Sequence, residues 1–142
     1  TVYLSSDKKR VYKFIYYGYN RVSSKRAIIE EKTREILLEA WIQTILSNDP
    51  VYGKFVVPVQ GIFMPSKPDP QYFSLYLQMP ALSFSLFDRI KKAVDTKVML
   101  NYLELRPVFK ELTGALLHFR NKYGFYHRDL HASNIMYKNN NL

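Results

Sequence analysis

Apolar and polar positions alternate in two short runs at the start of the chain, Thr1 to Ser5 and Val11 to Ile15, on either side of the polar stretch Ser6-Asp7-Lys8-Lys9-Arg10. Period-two alternation around a turn-forming linker predicts a β-hairpin. The next stretch, Tyr16 to Lys25, is rich in Tyr, Gly, Asn and Ser and reads as a loop, with Ser23 or Ser24 placed to cap a helix. From Ala27 to Leu46 strong helix formers dominate, and acidic residues fall early, where they complement the helix dipole. Leu38, Trp41, Ile42 and Ile45 recur there at helical spacing, which predicts a long helix burying that stripe.

A turn by composition, Ser47-Asn48-Asp49-Pro50, leads to two more β-prone runs, Phe55 to Phe63 and Tyr72 to Met79, with the proline-rich turn Pro65 to Pro70 between them. Leu75, Leu77 and Met79 alternate onto one face, as the buried side of an antiparallel sheet requires. Ser83 or Ser85 can cap a short helix through Leu86, Phe87 and Ile90. Arg106-Pro107 opens a longer helix with Val108, Leu112, Ala115, Leu116 and Phe119 on one side, closed by Gly124. Ile135-Met136-Tyr137 starts a last strand, expected to pair across a turn at Asn139 to Asn141.

With 142 residues, 47% of them hydrophobic and 15% aromatic, the chain is of one-domain size and can bury a real core. It begins at Thr1 and stops within a turn-like run, so we expect a window from a longer protein. It has no cysteine, which removes a disulfide framework or a thiolate zinc site from this window. No apolar run reaches the roughly 18 residues of a membrane span, and no secretory-signal pattern opens the chain. The net charge of +9 invites a nucleic-acid reading. Its clusters, Lys8-Lys9-Arg10, Lys25-Arg26 with Lys32 and Arg34, and Lys91-Lys92 with Lys97, are scattered and carry no RNA- or DNA-binding motif. A solvated basic surface that attracts nucleotide or acidic partners is the plainer expectation. The Lys-, Asn-, Tyr- and Ile-rich usage suits an AT-rich genome, such as that of a large DNA virus or a protist.

The most informative chemistry lies in Tyr126 to Tyr137, Tyr-His-Arg-Asp-Leu-His-Ala-Ser-Asn-Ile-Met-Tyr. Asp129 can accept a hydroxyl proton, Asn134 offers a carbonyl oxygen to a hard cation such as Mg²⁺, and Arg128 supplies a rigid fork of donors suited to phosphate or carboxylate. Leu130, Ile135 and Met136 can anchor the loop in apolar surroundings. That combination suits phosphoryl transfer.

The run His127-Arg128-Asp129-Leu130-His131-Ala132-Ser133-Asn134 resembles the protein-kinase catalytic loop, H-R-D-L-x-x-x-N, with every defined position filled. His131 stands where most serine/threonine kinases have a lysine, as in haspin-type and some tyrosine-kinase-like kinases, and Ala132-Ser133 is similar to the tyrosine-kinase form. Small-molecule phosphotransferases of the superfamily usually have Gly at the position of Arg128. The resemblance implies an α+β, protein-kinase-like fold, with a partial amino-terminal lobe at residues 1–79 and the hinge and start of the carboxy-terminal lobe at 80–142. It implies an intracellular ATP- and Mg²⁺-dependent kinase acting on a protein hydroxyl, serine or threonine ahead of tyrosine.

Asp129 is then the base that orients the acceptor, Asn134 a metal ligand, and Arg128 a contact for a phosphorylated or acidic activation segment. Lys13 becomes the strand lysine that grips the nucleotide phosphates, with Glu39, or else Glu35, as its partner, and His127 is a structural post. Leu77 becomes the gatekeeper, with Gln78 and Met79 in the adenine-binding hinge. The Gly-rich loop and the Asp-Phe-Gly segment would lie outside this window, so the window alone is expected to be inactive. A kinase-like scaffold without activity and a small-molecule phosphotransferase are the alternatives.

Overall fold

The computed structural model describes residues 1–19 and 24–138 and divides the chain into two compact units, Thr1–Ala81 and Leu82–Leu142. Ser23, one of the two helix caps expected, and the Asn139 to Asn141 turn lie outside the described residues.

The first unit is a four-stranded antiparallel sheet in the order β1 (Val2–Leu4), β2 (Arg10–Gly18), β4 (Tyr72–Pro80), β3 (Gly61–Phe63), with helix α1 (Lys25–Ser47) against one face. The β1–β2 hairpin is the one expected. Its turn is tied by Asp7, whose carboxylate receives the Ser5 hydroxyl, the Lys9 backbone N–H and the Arg10 guanidinium. Those donors, the serine foremost, lower the Asp7 pKa from 3.8 to about 2.

β2 runs three residues beyond the expected Ile15, because Tyr16, Tyr17 and Gly18 continue the ladder against Ser74, Phe73 and Tyr72. Conversely, the run Phe55 to Phe63 is strand only at its end. Gly53–Phe55 forms a 3-10 turn, Pro58 lacks a ladder donor, and the Gln43 carboxamide bonds the Val57 carbonyl from the helix. Gly53 is fixed by crowding, since a Cβ there would stand 2.4 Å from the Ser47 carbonyl oxygen.

The register of β2 on β4 sorts the sheet into two faces. Lys13 lies opposite Leu77 and Ile15 opposite Leu75, and residues directly opposite share a face. That face meets α1 in a core of Ile36, Ala40, Phe73, Leu75 and Leu77, with Ile15, Tyr17 and Ile62 packed at its margin. The other face is aromatic. Phe14 lies 4.8 Å from Tyr76 and 5.4 Å from Tyr16, and Tyr3, Tyr72 and the Tyr12–Phe63 pair extend the layer.

Helix α1 departs from expectation in which side it buries. Ile28, Ile36, Ala40 and Leu46 are buried, while Trp41 is 62% exposed and Leu38 and Ile42 also face out. The helix carries apolar residues on more than one side, and periodicity shows that Leu38, Trp41, Ile42 and Ile45 share a side without showing which side meets the sheet. Its first turn has no acidic residue either, since Glu30 and Glu31 begin a turn later. The Ser24 hydroxyl instead caps the helix by accepting the Ala27 N–H.

The second unit holds α2 (Leu86–Thr96), α3 (Tyr102–Tyr123) and a two-stranded ladder of β5 (Phe84–Ser85) and β6 (Met136–Tyr137). Ser85 caps α2 in a reciprocal box with Asp88, and its N–H and hydroxyl hold the Asp88 pKa below the usual carboxylate value. α3 begins five residues before the expected Pro107, because the Asn101 side chain caps it at the Leu103 N–H and Glu104 lies in its first turn. Pro107 is therefore inside the helix. The far end is as expected: Gly124 at φ +66 donates to the Arg120 carbonyl and ends the helix in the left-handed conformation that glycine adopts without strain. β6 pairs with β5, and the expected pairing across Asn139 to Asn141 lies outside the described residues. Phe84 stacks on Tyr137 at 4.8 Å, and Ser83 and Leu86 donate to the carbonyls of Tyr137 and Ile135.

Candidate functional site

Two groups of chemistry-bearing residues emerge, one in each unit. In the first, the sheet register turns Lys13 toward the α1 side, and burial of Ile36 and Ala40 turns Glu39 toward the sheet. Lys13 Nζ stands 2.9 Å from Glu39 Oε1, and both side chains are about half exposed. Of the two glutamates weighed, Glu39 makes this pair. Glu35 is taken by Lys32 at 3.0 Å, which raises the Lys32 pKa and also lays that ammonium 4.6 Å over the Tyr17 ring.

The residues expected around adenine are placed differently. Leu77 is 1% exposed and belongs to the core beneath α1, so its side chain is spent on packing. Gln78 and Met79 are strand residues, not a hinge beyond the strand, because the long β2 carries the ladder on to Pro80. The Gln78 carbonyl already accepts the Gln60 N–H at 2.8 Å, and the Ala81 N–H donates to Lys9 O at 2.9 Å. The Met79 sulfur receives the Gln43 amide at 3.6 Å. A shallow apolar depression on the outer side of α1, lined by Ile29, Thr33, Leu37, Leu38 and Trp41 among others, contains none of the expected site residues.

In the second unit the loop from Phe125 to Ile135 is held at one end by the Gly124 cap and at the other by the β5–β6 ladder. Arg128 sits at φ +64, a region costing a residue with a Cβ roughly 1–2 kcal/mol. The Asp129 N–H donates to His127 Nδ1 at 3.2 Å, which makes His127 a backbone anchor. The Asp129 carboxylate itself is 82% exposed, with His131 Nε2 at 3.8 Å from Oδ2, outside hydrogen-bond range.

Asn134 sits at the end of a 3-10 turn, Ala132–Asn134, whose closing bond runs from its N–H to the His131 carbonyl. Its side-chain nitrogen donates to the Asp129 carbonyl at 2.9 Å. Because a carbonyl only accepts, this fixes which end of the amide is nitrogen. The same nitrogen is 3.0 Å from His131 Nε2. Among the described residues no donor reaches Asn134 Oδ1. The His131–Asn134 contact was not foreseen. Its only sequence signal is a three-residue separation of an imidazole and an amide in a tight turn.

An amide oxygen is a hard donor of the kind Mg²⁺ accepts among its ligands. Among the described residues no group of three or more His, Cys, Asp or Glu side chains is placed to hold a metal ion, so an ion at Asn134 would take its remaining oxygens from phosphates and water. Among the same residues no helix is long and apolar enough to cross a membrane. A scan against protein-family models returns no match for this chain, and a search of curated proteins returns none either.

Proposed function

We propose that this chain is part of an ATP-dependent protein kinase that transfers the γ-phosphoryl group to a protein hydroxyl, serine or threonine ahead of tyrosine. The observation that carries this is the Lys13–Glu39 pair at 2.9 Å, which joins residues 26 apart in sequence. A strand lysine steadied by a helix glutamate is a fixed, half-exposed cation of the kind that positions nucleotide phosphates. Support comes from the loop, where the Asp129 carboxylate is exposed and the Asn134 amide nitrogen is held by the Asp129 carbonyl, with no donor at its oxygen among the described residues.

In this proposal Lys13 grips the α- and β-phosphates of ATP while Glu39 keeps its ammonium in place. Asp129 orients the acceptor hydroxyl and takes its proton, and Arg128 contacts an acidic or phosphorylated segment. Asn134 Oδ1 is the loop's ligand for Mg²⁺, which neutralises charge on the phosphates when bound.

Titration of the native protein that carries this sequence with Mg·ATP tests the assignment. Lys13→Ala abolishes saturable binding in the micromolar to millimolar range, Glu39→Gln weakens it, and Glu35→Gln leaves it unchanged. Equal effects of the two glutamate substitutions would remove Lys13–Glu39 from the nucleotide site.

A further inference from the structure

The sheet face turned away from α1 has no role in the proposed phosphotransfer chemistry, yet it is paved with rings. From Tyr3 through Phe14 and Tyr16 to Tyr72, successive centroids lie 6.3, 5.4 and 6.0 Å apart, and Tyr76 joins the row at Phe14. A cluster built only for packing would close itself off. Here Tyr3 and Tyr16 are more than half exposed, Tyr16 at 54%, and Tyr72 is open as well. Phe14 and Tyr16, two residues apart on β2, stack on each other, while Tyr3, Tyr16 and Tyr72 keep exposed ring surface on which a base can stack.

The charge around the platform decides which flat partner suits it. None of the four strands contains an aspartate or glutamate. Arg10 stands on the ring face, since it lies an even number of residues from Tyr12 and Phe14, and Lys8 and Lys9 precede it in the same hairpin turn. Lys67 precedes the other end of β4 in the chain. The strand face itself carries no carboxylate; in the turn Arg10 holds Asp7 at 3.1 Å, and Lys8 and Lys9 beside that pair leave the turn net positive, which complements a phosphate backbone whose bases stack on the rings.

We propose that this face binds single-stranded nucleic acid, with Tyr16 and Tyr72 as stacking residues and the Lys8–Arg10 turn as a phosphate contact. The inference is independent of the phosphotransfer proposal, since it uses the opposite side of the sheet from Lys13. It is tested by fluorescence anisotropy of the native protein with a labelled twelve-nucleotide oligo(U) or oligo(dT), its duplex form and mixed phosphatidylserine vesicles as competitors.

The expected result is binding that weakens steeply with salt and is displaced by unlabelled single strand but not by duplex or vesicles. Tyr16→Ala and Tyr72→Ala each weaken it about tenfold. Tyr16→Phe, which keeps the ring, stays near wild type, and Trp41→Ala on the outer side of α1 has no effect. Should an alanine variant fold poorly, ring-proton shifts at Tyr3, Tyr16 and Tyr72 on adding the oligonucleotide to the wild-type protein decide instead. Binding that survives both alanine substitutions, equal affinity for duplex, displacement by vesicles, or unmoved ring signals overturns the proposal.

Discussion

The two groups of site residues are held in place by opposite means. Lys13 and Glu39 meet only because a nine-residue strand pairs in one register and a 23-residue helix buries one particular side. The geometry of Asp129 and Asn134 is instead set within a few residues, by the His127 anchor, the Asn134 amide and a tight turn. The first arrangement rests on the core and the second on local hydrogen bonds. Damage to the core should therefore disable the first group without changing its charges, whereas the loop can lose its chemistry without costing stability.

The largest expected effect exploits that contrast. Asp129→Asn in the native protein lowers phosphate transfer about 10²- to 10⁴-fold, and leaves the urea midpoint within error because the carboxylate has no buried contacts. Next comes Leu77→Ala, which removes a fully buried side chain and destabilises the first unit by about 2–5 kcal/mol, read by urea unfolding. Trp41→Ala, on the exposed side of the same helix, stays within about 0.5 kcal/mol. A Trp41 cost as large as that of Leu77 would mean that the buried side of α1 has been misassigned. In the second unit, Ser85→Ala breaks the capping box of α2 and costs about 1 kcal/mol by the same measurement.

The smallest effect is a pH dependence confined to the β1–β2 hairpin. The folded-state pKa of Asp7 is about 2 against an ordinary 3.8. A depressed carboxylate contributes stability that is fully present above its ordinary value and lost as pH falls through the folded one. The hairpin amides should therefore lose exchange protection between pH 3.8 and about 2, and Asp7→Asn should remove that dependence.

The same contrast explains what was legible in the sequence. The run His127 to Asn134, which resembles a kinase catalytic loop, stands out because its spacing is local and its residue types are few. The hairpin, the Ser24 and Ser85 caps and the Gly124 stop were also readable, since each depends on neighbours in the chain, whereas the Asn101 cap of α3 was masked by the louder Pro107. The choice between Glu35 and Glu39 was not, because both lie on one helix and only the sheet register decides which can reach Lys13. Nor was the buried side of α1, where Leu38, Trp41 and Ile42 form the louder stripe but Ile36 and Ala40 are the ones that fit against Phe73 and Leu75. The aromatic face escaped notice for the same reason, as its rings come from four strands separated in sequence.

The most direct test is transfer of radiolabelled γ-phosphate from ATP to a mixed protein substrate by the native protein, compared with its Asp129→Asn variant at matched stability. Mg²⁺-dependent labelling that falls at least a hundredfold in the variant is the predicted result. No labelling by the wild-type protein, or labelling indifferent to Asp129, would contradict the account.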